Sequence, residues 1–195
     1  MQPLLGLARH IDRLTDGVFR IIRWLTLVMI LIGAINAGAR TLTKYTSASL
    51  TSNAAVDIQW YLFSLVFLLG AAYGVNREVH VRVDVLYSRI RPQLRTWINL
   101  LGTLLFLIPF SATMLITSWP AVRNSWAVRE ASPDPGGLAR YPIKTVILVC
   151  FALLLLQGVS QVIKHVATLT GALPAAPEHD PTAPSIPHHD QARST

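Results

Sequence analysis

Residues 145–163 read Thr145-Val146-Ile147-Leu148-Val149-Cys150-Phe151-Ala152-Leu153-Leu154-Leu155-Leu156-Gln157-Gly158-Val159-Ser160-Gln161-Val162-Ile163, nineteen residues without a charged side chain. At about 1.5 Å per residue a helix of this length crosses the roughly 30 Å hydrocarbon core of a bilayer. Three more apolar runs of that length lie upstream, from about Ile21 to Ala39, Val56 to Val75 and Trp97 to Ser118. Inside a bilayer every backbone polar group must be satisfied within the protein, which leaves helices for runs of this kind. The sequence therefore predicts an all-α integral membrane protein with four transmembrane helices.

Composition agrees. Of 195 residues, 52% are hydrophobic and only 14% charged, where a soluble domain carries about 25% charged. The formal charge of +7 does not make a nucleic-acid binder, because the basic residues sit between apolar runs and not on one face of a polar domain. A single cysteine, Cys150, inside the fourth run supplies no disulfide framework and no cysteine metal motif.

Trp24, Trp60, Trp97 and Trp119 lie near proposed span ends, where an amphipathic indole prefers the headgroup level. Eleven Lys and Arg residues fall on the side that holds both termini and the loop between spans two and three, against six on the other. By the positive-inside bias both termini are expected in the cytoplasm. A cleaved signal peptide ending near Ala37-Gly38-Ala39 is the competing reading. The long leader with Asp12 and Asp16 and the length of the apolar run argue against it. The expected organisation is a cytoplasmic segment over 1–20, a four-helix membrane domain over 21–169, and a disordered tail over 170–195. Pro174, Pro177, Pro181, Pro184 and Pro187 give that tail a composition that cannot bury a core. His179, His188 and His189 in the tail are read as solvated and not as metal ligands.

Catalysis inside a bilayer needs ionisable groups at mid-span, and these spans lack them. No histidine is mid-span; His80 and His165 lie near helix ends on one side, a poor arrangement for haem. No zinc-binding His-Glu-x-x-His helix, phosphate loop or Walker lysine occurs, so no catalytic, cofactor or metal residue is assigned. Asp57 is expected in the first turn of the second helix, either as an interfacial acid at the positive end of the dipole or as a contact to a partner. The spans instead carry packing chemistry. Gly70 and Gly74 form a small-xxx-small face that admits another backbone. Gln157, Ser160, Gln161 and Lys164, and likewise Gly33, Asn36, Ala37 and Arg40, form polar stripes expected to face other helices, within this bundle or in a second subunit.

Between spans two and three, residues 76–86 alternate apolar and polar like a strand, yet Val79, Val83, Leu86, Tyr87 and Ile90 also keep helical spacing. A short interfacial helix turning Arg82, Arg89, Arg91 and Arg95 to the headgroups reconciles the two patterns, with a break at Pro92. In the long outer loop, Trp119, Val122 and Trp126 predict a second short interfacial helix with Pro120 in its first turn. Ser132-Pro133-Asp134-Pro135-Gly136-Gly137 is turn chemistry.

The run Gly70-Ala71-Ala72-Tyr73-Gly74 followed by Arg77-Glu78-Val79-His80-Val81-Arg82-Val83-Asp84 resembles the signature of the DctQ family, the small permease subunit of tripartite ATP-independent periplasmic (TRAP) transporters. Ser125-Trp126, Glu130-Ala131-Ser132, Gly136-Gly137-Leu138, Tyr141-Pro142-Ile143-Lys144 and Leu156-Gln157-Gly158 are similar too. The likeness runs from about Asp12 to Leu169. Where many members have a small residue just before the histidine, this chain has Glu78-Val79. The resemblance implies a subunit without a substrate site or cofactor, in a bacterial inner membrane. Its partners would be a large permease of about twelve helices, a periplasmic binding protein and membrane lipid. The system would import an organic-acid-like solute on an ion gradient. Arg77, His80, Arg82 and Asp84 are then candidate subunit-contact or loop-holding residues together with Gly70 and Gly74. Trp126, Arg129 and Glu130 are candidates for docking the binding protein. Two other readings stay open: a haem or quinone anchor of a respiratory complex, and a small homo-oligomeric channel.

Overall fold

A computed structural model of the chain describes residues 2–45, 53–77 and 91–172. Its helices are α1 (Gln2–Thr43), α2 (Asn53–Asn76), α3 (Pro92–Gly102), α4 (Ile108–Ala127) and α5 (Tyr141–Leu169), and a π turn, Thr103–Leu107, joins α3 to α4. With that turn α3 and α4 make one rod, so four helices are long and apolar enough to cross a membrane. The four-span, all-α expectation holds.

Prolines start three of the four membrane-length rods. Pro92 opens α3 and Pro142 lies in the first turn of α5; Pro3 does the same for α1. Each sits where its missing N–H would have no intrahelical partner. No proline follows Pro3 until Pro92, and α1 runs unbroken for 42 residues, about 63 Å at the usual rise. Residues 2–20, which the sequence places ahead of the first span, are the opening turns of this same helix.

The π turn has a local cause. Pro109 has no N–H, and in a regular helix its ring would press on the carbonyl four residues back, at Leu105. Widening the preceding turn relieves that clash without ending the helix. Pro120, farther along, lies on an exposed face, and α4 passes through it to Ala127. The short helix expected around Trp119, Val122 and Trp126 is therefore not a separate interfacial element. Its residues are the last turns of α4, with Val122 buried and both tryptophans exposed. The interfacial helix expected between spans two and three lies outside the described residues, as does the tail beyond Ala172.

α5 is the hub. It packs against α1, α2, α3 and α4, and α1 also packs along α2. Its buried residues, among them Cys150, Phe151, Leu153, Leu154, Gln157, Gly158, Ser160 and Gln161, recur at helical spacing over about half of the circumference. Ala72 of α2 joins Cys150, Phe151, Leu153 and Leu154 in the apolar core. At Gly158 an added Cβ would stand 3.0 Å from Ile108 Cγ1, so its hydrogen is what lets the start of α4 lie close. The other spans leave most of their apolar windows uncovered. Trp24, Trp60, Trp97 and Trp119 are all among the exposed residues, as belt tryptophans should be.

Candidate functional site

The polar groups of the bundle gather in two clusters, called inner at the C-terminal end of α5 and outer at its N-terminal end. At its C-terminal end Gln157, fully buried, is the centre. Thr15 donates its hydroxyl to Gln157 Oε1 at 3.0 Å, and Gln157 Nε2 donates to Asp12 Oδ1 and to Asn76 Oδ1, both at 3.1 Å. Ser160 Oγ donates to the same Asp12 oxygen at 2.9 Å, while Lys164 Nζ reaches Asp12 Oδ2 at 2.6 Å. Asn76 passes the network on by donating to Asp16 Oδ1 at 3.4 Å, and Arg77 straddles both oxygens of Asp16 at 3.3 Å. Beside it Phe19 stacks flat on Tyr73 at 3.6 Å between centroids, with the Arg77 guanidinium 5.6 Å above the Tyr73 ring. Two carboxylates face two cations, so the cluster is neutral in sum. It joins α1, α2 and α5 by hydrogen bonds in which every strong group has a partner, which offsets the desolvation of the groups that are buried.

At the N-terminal end of α5 the loop after α4 folds back as a narrow hairpin. Arg140 N donates to Glu130 O at 2.8 Å and Ser132 N to Leu138 O at 2.9 Å, with Ala131 and Ala139 bridged. Gly136 takes φ 73°, a turn conformation that suits a residue without Cβ. Gly137 is required for space: a Cβ there would lie 2.4 Å from Ser132 Cβ and 2.6 Å from Asp57 Oδ2. α2 holds the hairpin from the side. Asp57 Oδ2 accepts the Leu138 N–H at 2.9 Å, Tyr61 donates to the Ala139 carbonyl at 3.1 Å, and Asn53 donates to Pro135 O at 3.0 Å. From α5, Lys144 pairs with Glu130, which also accepts the Ser125 hydroxyl at 2.8 Å. These two partners, Lys144 first, hold the Glu130 carboxyl below the usual glutamate range. Trp126 lies edge to face with Tyr141 at 4.6 Å and donates its indole N–H to Thr145 at 2.9 Å.

These contacts correct the reading of Asp57. α2 begins at Asn53, so Asp57 is past the first turn; it is buried, and its partner is the chain's own loop. The first-helix stripe is likewise only half turned inward. Gly33 faces the Gln59 side chain, whereas Ala37 and Arg40 are exposed.

Of the residues singled out from the sequence, Gly70 is half-buried, and a Cβ built there meets nothing within 4 Å. Gly74 is half-buried. Arg77 belongs to the inner cluster, and His80, Arg82 and Asp84 lie outside the described residues. Trp126 and Glu130 both belong to the outer cluster, each with its own partners, and Arg129 is exposed on the hairpin at φ 46°. The α5 stripe was visible in the sequence, but its partners Asp12, Thr15 and Asp16 were missed. Their spacing of three and four with the buried Ala8 and Ile11 was the available signal. Tyr61 was missed as well, and a lone tyrosine at a span end offers no signal for what it grips.

Neither cluster assembles a nucleophile, a base and an open substrate position; both tie structural elements together. The family model for the DctQ component of tripartite ATP-independent periplasmic transporters matches residues 29–168, well over half of the chain. No curated protein and no solved structure matches. The matched stretch holds the whole outer cluster, α2, the π turn and nearly all of α5. With four membrane-length helices, three of them packed around the fourth, and a family match of that extent, the chain belongs to the DctQ family of multi-pass membrane components of TRAP transporters.

Proposed function

We propose that this chain is a non-enzymatic scaffold subunit that packs against a large permease of about twelve helices and steadies it in the bacterial inner membrane, both termini cytoplasmic. The assembly imports an organic-acid-like solute delivered by a periplasmic binding protein and driven by an ion gradient. The observation that carries this reading is the family match over residues 29–168. The uncovered sides of α1, α2 and α3–α4 support it, because helices in a membrane associate through such faces. Gly70 offers a backbone approach that none of the described residues uses. In this reading Gly70 and Gly74, with Arg77, His80, Arg82 and Asp84 beyond the end of α2, meet the large subunit. The hairpin with Trp126, Arg129 and Glu130 contributes to the surface for the binding protein.

Affinity purification of the chain from its own membranes in a gentle detergent, followed by mass spectrometry, tests the reading. A large polytopic protein without a visible chromophore is the expected companion. A chain recovered alone, or with haem, overturns it. Gly70→Leu should leave the bundle folded while lowering recovery of the companion, and Asp84→Ala should lower it too. Trp126→Ala should slow uptake when the binding protein is scarce.

A further inference from the structure

The first half of α1 sorts its charges. Asp12 and Asp16 point into the bundle and pair with Lys164 and Arg77. Arg9, Arg13, Arg20 and Arg23 are exposed, and none has an ion-pair partner among the described residues. Arg9, Arg13 and Arg20 are spaced four and seven apart, which places them on one side of the helix. A second ridge runs beside them. Leu7, Leu14, Ile21, Val28 and Ile35 recur every seven residues, and all five are at least 43% exposed. This ridge starts well ahead of the first apolar run and continues into it without a break in the helix.

Water cannot be the intended neighbour of the whole ridge, since its later members belong to a membrane span and its earlier ones are equally apolar. Thr15 bonds Gln157 and Asp12 pairs with Lys164, so this half of α1 stands beside the end of the α5 apolar run, at the boundary of the hydrocarbon core. There an apolar ridge next to a basic ridge fits the boundary between acyl chains and anionic headgroups. Arginine also suits the site because its guanidinium binds phosphate through two parallel hydrogen bonds while its stem lies along apolar surface.

We infer that the N-terminal half of α1 is a binding ledge for anionic phospholipid, in which Arg9, Arg13 and Arg20 hold headgroup phosphates and Leu7 and Leu14 lie against the acyl chains. The internal ion pairs are part of the device: Lys164 and Arg77 offset Asp12 and Asp16, so the arginines carry the uncompensated charge of this segment. The ledge does not depend on which protein partner the bundle has.

Native mass spectrometry of the full-length protein, released from detergent micelles doped with equal amounts of phosphatidylglycerol and phosphatidylcholine, tests the inference. Phosphatidylglycerol should be retained in preference. Arg9→Gln, Arg13→Gln and Arg20→Gln should each cut that preference by about fivefold, whereas Arg123→Gln, at the far end of α4, should leave it unchanged. Leu7→Gln with Leu14→Gln should lower retention of both lipids alike. Equal retention by the unmodified protein, or an undiminished preference in the triple arginine variant, overturns the ledge. So does a triple variant that keeps its lipids and loses an acidic soluble protein, which would make this face a protein contact instead.

Discussion

The two ends of α5 solve different problems with similar groups. At the outer end the carboxylates of Asp57 and Glu130 hold a loop: one accepts a backbone N–H, the other takes Lys144 and Ser125. At the inner end Asp12 is shared by Gln157, Ser160 and Lys164, and the groups come from three helices. The outer cluster therefore shapes a surface, while the inner one fixes where α1 sits. They also differ in reach along the chain. Every outer member lies within the stretch that matches the family model, whereas Asp12, Thr15 and Asp16 lie ahead of its start at residue 29.

The sharpest way to break the comparison is at Gln157. Gln157→Leu keeps the size but removes the hydrogen bonds to Thr15, Asp12 and Asn76, each worth about 1 kcal/mol net. A loss on the order of 3 kcal/mol is expected in denaturant titrations in detergent, with α1 detaching first. An unchanged midpoint would mean that the inner end does not position α1. Next comes the Lys164–Asp12 pair, whose side chains are 29% and 21% exposed. Lys164→Met should cost about 2 kcal/mol, below the range for a fully buried pair. Adding Asp12→Asn should recover most of it in a double-mutant cycle. At the outer end the effect should be smaller and local. Asp57→Ala leaves the Leu138 N–H without its acceptor, worth about 1 kcal/mol. Protease cutting between residues 132 and 137 should accelerate while the unfolding midpoint barely moves. Global unfolding in that variant would erase the distinction between the ends.

The smallest effect expected is one of pH. Because Lys144 and Ser125 hold Glu130 below the ordinary glutamate range, the tether contributes stability above that range and loses it as pH falls through the lowered value. Trp126 emission, followed as pH falls, should stay flat through the ordinary glutamate range and change below it. Glu130→Gln should abolish that change. A transition at the ordinary glutamate value would show that the pair with Lys144 has no influence.

The spans were legible in the sequence because a bilayer imposes a length and a composition at once, and the inward stripe of α5 was legible because polar groups in a span must face protein. What the sequence concealed was contact between distant segments. Asp12 and Asp16 look like ordinary members of a charged leader until Lys164 and Arg77 are seen opposite them. Asp57 looks like a dipole-stabilising acid until the hairpin 81 residues later folds onto it. The mistaken short helix at Trp119–Trp126 came from treating Pro120 as a start; on an exposed face, a proline in a well-packed helix does not end it.

The π turn at Thr103–Leu107 has a consequence for insertions and deletions. It holds about one residue more than an α-helical path of the same rise would, and one residue is about 100° of rotation. α3 and α4 are thus out of phase with each other by a single amino acid, yet both lie against α5. Deleting one residue within the turn would bring back the clash at Pro109 and swing Ile98 and Asn99 away from their present azimuth, with no change in hydropathy. A chain aligned to this one by apolar pattern alone would lose that phase without any sign of it.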